Sequence, residues 1–227
     1  MPKSVRFFHI ASTKPITKHI TPHFYFIFKF RKHHISDKEF IYRSYFTKIM
    51  KCELIENRII VWNIEDSRKL FSQGYYGKPI GIPKPKIEEI DAPLILDLIE
   101  GVYLLENKKI TITKSKLKIT IEQLIEICKK EVHEFDKKYL VYKNFRDNGY
   151  IINPGIKFGC DFAVYEKGPG IDHAPFLIQV YTRSEAITST AIVLAGRLAT
   201  TVRKQFILAI PKGKDKVDFL ALDWWKA

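Results

Sequence analysis

Cysteine is scarce in this chain and poorly spaced for cross-linking: 227 residues contain three, Cys52, Cys128 and Cys160, with no Cys-x-x-Cys pair among them. An odd number so arranged excludes a disulfide framework and a cysteine zinc site, and fits a reducing, cytoplasmic setting. No apolar run approaches the roughly 20 residues that span a bilayer, so no membrane attachment is expected. Charges and histidines interrupt the N-terminus before it can form the apolar stretch of about 7 to 15 residues that a secretory signal needs. Histidine is itself rare beyond residue 49, where His133 and His173 alone remain. Forty residues apart, they form no histidine cluster, and no metal or other cofactor is expected.

Acidic residues are few against the basic ones. The 38 Lys/Arg oppose 25 Asp/Glu, a formal net charge of +13, which favours a polyanionic partner, nucleic acid before a membrane surface. The excess is uneven. Residues 1–49 hold ten Lys/Arg against two Asp/Glu, five of the seven histidines and eight of the sixteen phenylalanines. That composition stops at Met50. The segment reads as a basic RNA-binding arm, an added strand layer, or sequence upstream of a true start at Met50. The last is favoured, because the chain from MKCELIENRIIVW onward reads as the beginning of a domain.

In the body, the β-branched run over 52–62 around Glu56 and Asn57 predicts a hairpin, and 67–73 a short helix closed by Gly74. YYGKPIGIPKPK comes next as a lysine-bearing Gly/Pro loop. The spacing of Leu94, Leu98, Ile99, Val102 and Leu105 predicts a helix over 92–105. Strands over 110–112 and 116–119, then a helix capped by Thr120 and running to about Lys130, complete an N-terminal α/β domain over 50–131. Residues 132–227 open with an amphipathic helix over 135–148 that ends at Gly149. Short apolar segments then occur at 150–152, 161–166, 175–181, 206–210 and 217–222, with a helix-length stretch at 185–203. The expected fold class is α+β, or α/β: a small N-terminal α/β domain, then a C-terminal mixed sheet with a helix on each face, of nuclease-like type.

His133 lies in a lysine- and glutamate-rich join and reads as a solvated surface residue. His173 lies in GPGIDHAP, a loop between two strands. Tyr165 ends DFAVY, where alternation puts Ala163 and Tyr165 on the face opposite Phe162 and Val164. Lys204 closes GRLATTVRK, seven residues after Arg197, a spacing of about two helical turns that places both cations on nearly one face. Each has a plain structural explanation: a half-buried strand tyrosine, a loop histidine, a cation complementing a helix C-terminus. Together they supply a base, an acid and a fixed cation. RNA carries its own nucleophile, the 2′-OH, so such a set can cleave it without a metal. Histidine suits the acid role because its pKa lies near 6.5. Tyrosine, near 10, becomes a usable base when a neighbouring lysine stabilises its phenolate.

The segment KYLVYKNFRDNGYIINPGIKFGCDFAVYEKGPGIDHAPFLIQV, followed by GRLATTVRKQFILAI, closely resembles the catalytic domain of archaeal tRNA-intron endonucleases. NRIIVWNIEDSRKLFSQGYYGKPIG resembles, more weakly, the N-terminal domain of the same family. The resemblance implies a C-terminal domain similar to the restriction-endonuclease fold, with Tyr165 as general base, His173 as general acid and Lys204 as transition-state stabiliser. It also implies a precursor tRNA substrate with a bulge-helix-bulge fold and products ending in a 2′,3′-cyclic phosphate and a 5′-hydroxyl. Arg197 matches one side of the family's clamp on a bulge base, and Trp225 is a candidate for the other. The short GKPIGIPKPK loop looks most like members that pair with a structural subunit as an α2β2 heterotetramer, a homotetramer being less favoured. Against this, the loop PKGKDKVD is more basic than the acidic docking loop of many relatives, leaving Asp215 and Asp218 as its acids.

Two rival readings remain. A metal-dependent nuclease of restriction-endonuclease type would start its pattern at Asp161 and need Glu-x-Lys where Gln179-Val180-Tyr181 stands. A noncatalytic RNA-binding subunit of the same complex would be expected to lack part of the triad.

Overall fold

The computed structural model describes residues 5–6, 49–83, 85–171, 174–182, 186–213 and 215–224. These form two six-stranded sheets with α-helices, a mixed α/β architecture. The chain divides into two compact units, one built on residues 49–151 with 167–171, the other on 152–166 with 174–224. The segment 7–48, and with it the expectations for the N-terminal extension, lies outside the described residues.

β1 (Val5–Arg6) is an edge strand of the second unit. The first unit begins with the expected hairpin, β2 (Met50–Ile55) and β3 (Arg58–Val61), turning through Glu56 at φ 52°. Met50, Cys52, Leu54, Ile59 and Val61 alternate into the core. Helix α1 (Ile64–Gly74) starts earlier than expected because Asn63 caps it, its side chain accepting from the Asp66 N–H. The helix also ends one residue later than glycine chemistry suggests. Tyr75, not Gly74, takes the left-handed position at φ 54°, while Gly74 stays in the helix, where a Cβ would lie 2.6 Å from the Tyr76 ring.

β4 (Lys78–Pro79) gives the Gly/Pro loop one short edge pairing with β5 (Leu94–Leu96). The helix expected over 92–105 is thus corrected: Leu94 lies at helical spacing from Leu98 but is buried by strand pairing, with Ile95 opposite Ile60. Asp97 and Glu100 form a capping box, and α2 (Leu98–Glu106) begins only after Asp97. β6 (Ile110–Lys114) and β7 (Leu117–Lys118) complete the sheet in the order β4-β5-β3-β2-β6-β7. Thr120 and Gln123 box the start of α3 (Ile121–Glu131), and α4 (Phe135–Asp147) packs against α2 and α3. α4 carries Arg146, whose buried guanidinium donates to the Gly74 carbonyl (2.7 Å) and the Tyr142 hydroxyl (2.9 Å) and lies over the Tyr76 ring.

The second unit is a mixed sheet in the order β1-β12-β11-β10-β9-β8. Its strands are β8 (Ile151–Pro154), β9 (Phe162–Tyr165), β10 (Phe176–Val180), β11 (Gln205–Lys212) and β12 (Lys216–Trp224). β10 and β11 run parallel, so the chain must cross over between them, and α5 (Ser189–Thr201) is that crossover. Among the described residues, no helix is long and apolar enough to cross a membrane.

Candidate active site

Alternation in DFAVY has the consequence its sequence implies. Ala163 and Tyr165 share a cluster with Cys160, Leu177, Ala199, Phe206 and Leu208, while Phe162 and Val164 are buried on the opposite face. Tyr165 is half-buried at the last residue of β9.

The way α5 stops places Lys204. Val202 caps the helix, Arg203 turns left-handed at φ 53°, and two backbone bonds close the end. The Arg203 N–H donates to Thr200 (3.2 Å) and the Lys204 N–H to Ala199 (2.8 Å). Glycine usually occupies the left-handed position of this paired-bond stop, and a side chain there costs about 1 kcal/mol. Lys204 consequently leaves the helix. It does not share a helical face with Arg197, as the seven-residue spacing implied, because α5 ends at Thr201. Arg197 is exposed on α5.

Beyond the helix, the Lys204 ammonium donates to the Ala174 carbonyl at 2.6 Å and lies 5.4 Å from the centre of the Phe158 ring. The Gln205 N–H donates to the Pro175 carbonyl (2.8 Å), locking the start of β11 beside the start of β10. Register supplies the rest, since Phe176 pairs with Val164 on one side and Gln205 on the other. Tyr165 and Lys204 each stand one residue beyond that row, at the same end of the sheet. Two strand spacings, roughly 10 Å, separate their backbones. His173, which precedes Ala174 in the chain, lies outside the described residues, as does Trp225.

Phe158 and Ala174 are the site residues that sequence reading missed. Phe158 ends a short 3₁₀ turn (Ile156–Phe158) between Gly155 and Gly159. A Cβ on Gly155 would lie 2.5 Å from the Cys160 Sγ, and Gly159 is left-handed at φ 64°. That glycine pair around an aromatic was a legible signal. The Ala174 contact uses a backbone carbonyl and leaves none.

Asp161 and Gln179, compared above as parts of a metal pattern, do come together. One carboxylate oxygen of Asp161 accepts from the Gln179 amide and from the Val180 N–H, both at 2.8 Å. A carboxylate held by a neutral amide differs from one facing the lysine and second acid of a divalent-cation site. Among the described residues, no group of three or more His, Cys, Asp or Glu side chains is gathered as a metal would need. The three cysteines are free thiols, and burial pushes Cys160 up to about 11 and Cys52 and Cys128 up to about 12. Protonated at neutral pH, they are no nucleophiles. His133 is exposed, as expected. Asp218 forms an ion pair with Lys212 across the β11–β12 hairpin, which leaves Asp215 exposed at its turn.

Two family models match the chain. Residues 135–219 match the model of the tRNA intron endonuclease catalytic C-terminal domain, and residues 50–125 that of the tRNA intron endonuclease N-terminal domain. The chain belongs to the tRNA intron endonuclease family and carries its catalytic domain. It is similar to the tRNA-splicing endonuclease of Sulfurisphaera tokodaii, 43% identical over 176 residues, covering 77% of this chain and 98% of the relative. The tRNA-splicing endonuclease of Hyperthermus butylicus is 41% identical over 180 residues, 78% of this chain and 99% of that protein. That of Saccharolobus islandicus is 38% identical over 181 residues, 78% and 100% respectively.

Proposed function

We propose that this enzyme excises introns from precursor tRNA by metal-independent attack of a 2′-hydroxyl on the adjacent phosphate. Tyr165 removes the 2′ proton, Lys204 balances the charge that builds on the phosphate, and His173 protonates the departing 5′-oxygen. The products are a 2′,3′-cyclic phosphate and a 5′-hydroxyl. The observation that carries this reading is the anchoring of Lys204 between the Ala174 carbonyl and the Phe158 ring, at the sheet end where β9 delivers Tyr165. A cation held before substrate arrives stabilises developing charge without reorganising. The engagement of Asp161 by Gln179 and Val180 weighs against the metal-dependent alternative.

The substrate would be a bulge-helix-bulge RNA, read by shape and by its splayed bases, with Arg197 and Trp225 clamping a bulge base. Residues 50–131 and 132–227 would act as the two working domains, in the cytoplasm, with a structural subunit completing an α2β2 assembly. Asp215 is the acid of the β11–β12 turn best placed to dock it.

The test is cleavage of a bulge-helix-bulge RNA in excess EDTA, with and without a candidate structural subunit. Cleavage giving cyclic-phosphate ends is expected, and His173→Ala should keep RNA binding while losing most of the single-turnover rate. Strict Mg²⁺ dependence, or near-normal cleavage by His173→Ala, would sink the mechanism.

A further inference from the structure

A second lysine of the same unit stands beside Lys204. The turn Ile156–Phe158 carries Lys157, whose ammonium lies 6.0 Å from the centre of the Phe158 ring, and that ring centre is also 5.4 Å from the Lys204 ammonium. The turn itself has little freedom. The Phe158 N–H donates to the Gly155 carbonyl (2.8 Å), the Gly159 N–H to the Ile156 carbonyl (3.0 Å) and the Gly155 N–H to the Asp161 carbonyl (2.9 Å), while Gly155 has no room for a Cβ beside Cys160. Phe158 and Tyr165 pack on one buried cluster, so the ring that gathers both cations lies on the face of the sheet that carries Tyr165. Lys157 and Ile156 are exposed, Ile156 by 84%, which leaves this side of the turn open to a large ligand.

We propose that Lys157 is a substrate-binding residue that holds the RNA phosphate next to the scissile one. This rests on the reading of Lys204 as the cation at the scissile phosphate. Two ammonium groups beside one ring repel each other, and the attraction of a ring for an exposed cation is weak. A carboxylate on Lys157 would offset that repulsion, and among the described residues none is paired with it. An RNA strand supplies the missing charge, one negative phosphate per nucleotide. With the scissile phosphate at Lys204, the next phosphate of the same strand is the nearest further anion, and Lys157 meets it with a compact charge on a flexible four-carbon stem. Such a contact fixes the strand without reading its sequence. Lys157 touches no reacting atom, so its removal should weaken binding and spare the chemical step.

The experiment is filter binding to bulge-helix-bulge RNA whose cleavage-site 2′-hydroxyls are replaced by hydrogen, with single-turnover cleavage of the unmodified RNA alongside. The full-length chain is used, in whatever assembly wild-type cleavage requires. Lys157→Ala should weaken binding by about 5- to 8-fold near 0.1 M salt and flatten the log–log salt slope by about 0.7 to 0.9, the counterion release of one phosphate contact. Lys157→Arg should match wild type, and the single-turnover rate of the saturated complex should be unchanged in both variants. A methylphosphonate, which removes the charge of one linkage, then locates the contact. At one of the linkages flanking the cut it should abolish the penalty of Lys157→Ala, and at distant linkages it should leave that penalty intact. Wild-type affinity in Lys157→Ala, a lost rate with unchanged affinity, or a penalty that survives neutralisation of every flanking linkage overturns the proposal and leaves the role of Lys204 standing. Near-normal single-turnover cleavage by Lys204→Ala would overturn the reading of Lys204, and the proposal with it, which tells the two failures apart.

Discussion

Buried charge constrains single residues closely in the first unit, where Glu100 and Arg146 are both buried. Glu100 accepts from the Asp97 N–H (2.9 Å) and the Gly77 N–H (3.2 Å), with the Arg146 guanidinium 3.8 Å away. Burial pushes the Glu100 carboxyl up to about 7, against the opposing pull of Arg146. Its folded pKa exceeds the unfolded value, so this group's contribution to stability is full below about pH 4.5 and lost as pH rises through about 7. Glu100→Gln, which keeps an oxygen for those N–H donors, should therefore flatten the fall in melting temperature between about pH 5 and pH 8. An equally steep fall in the variant would show that Glu100 does not titrate there. None of this was legible in the sequence. Residues 100 and 146 meet only because α2 and α4 pack together, and Arg146 alone looks like an ordinary surface cation of an amphipathic helix.

At the scale of elements, capping chemistry was readable and burial misled. Thr120 followed by Gln123 marks the start of α3, and the expected helix begins there. The same signal stands at Asp97 with Glu100. A helical run of leucines from Leu94 onward obscured it, because a strand residue and a helix residue can be buried at the same spacing for different reasons. Asp97→Ala should cost about 1 kcal/mol and lower the melting temperature by roughly 2 to 4 °C, with single-turnover cleavage unchanged. A loss of cleavage without a shift in melting would mean that Asp97 serves the reaction and not the helix. α5 teaches the complementary lesson. Its last turn gave no glycine to mark the stop, and the left-handed Arg203 that redirects Lys204 was invisible until the backbone was traced.

For the molecule as a whole, the +13 charge and the family's substrate class together set how RNA should bind. Neutralising phosphates releases counterions, so affinity should fall steeply with salt, on the order of 10³-fold between about 50 and 200 mM if some six phosphates are contacted. The single-turnover rate of the saturated complex should hardly change. A salt-independent affinity in filter binding would remove the electrostatic account. What the sequence determined by itself was local: strand alternation, helix caps, glycine and proline punctuation, and the residue types that RNA cleavage needs. These depend on each residue and its near neighbours. The tertiary structure alone decided which distant pieces meet, because hydrogen-bond register and packing act across the chain. Through them Lys204 reaches the Ala174 carbonyl and the Phe158 ring, Asp161 meets Gln179, and Gly168 settles on Tyr75.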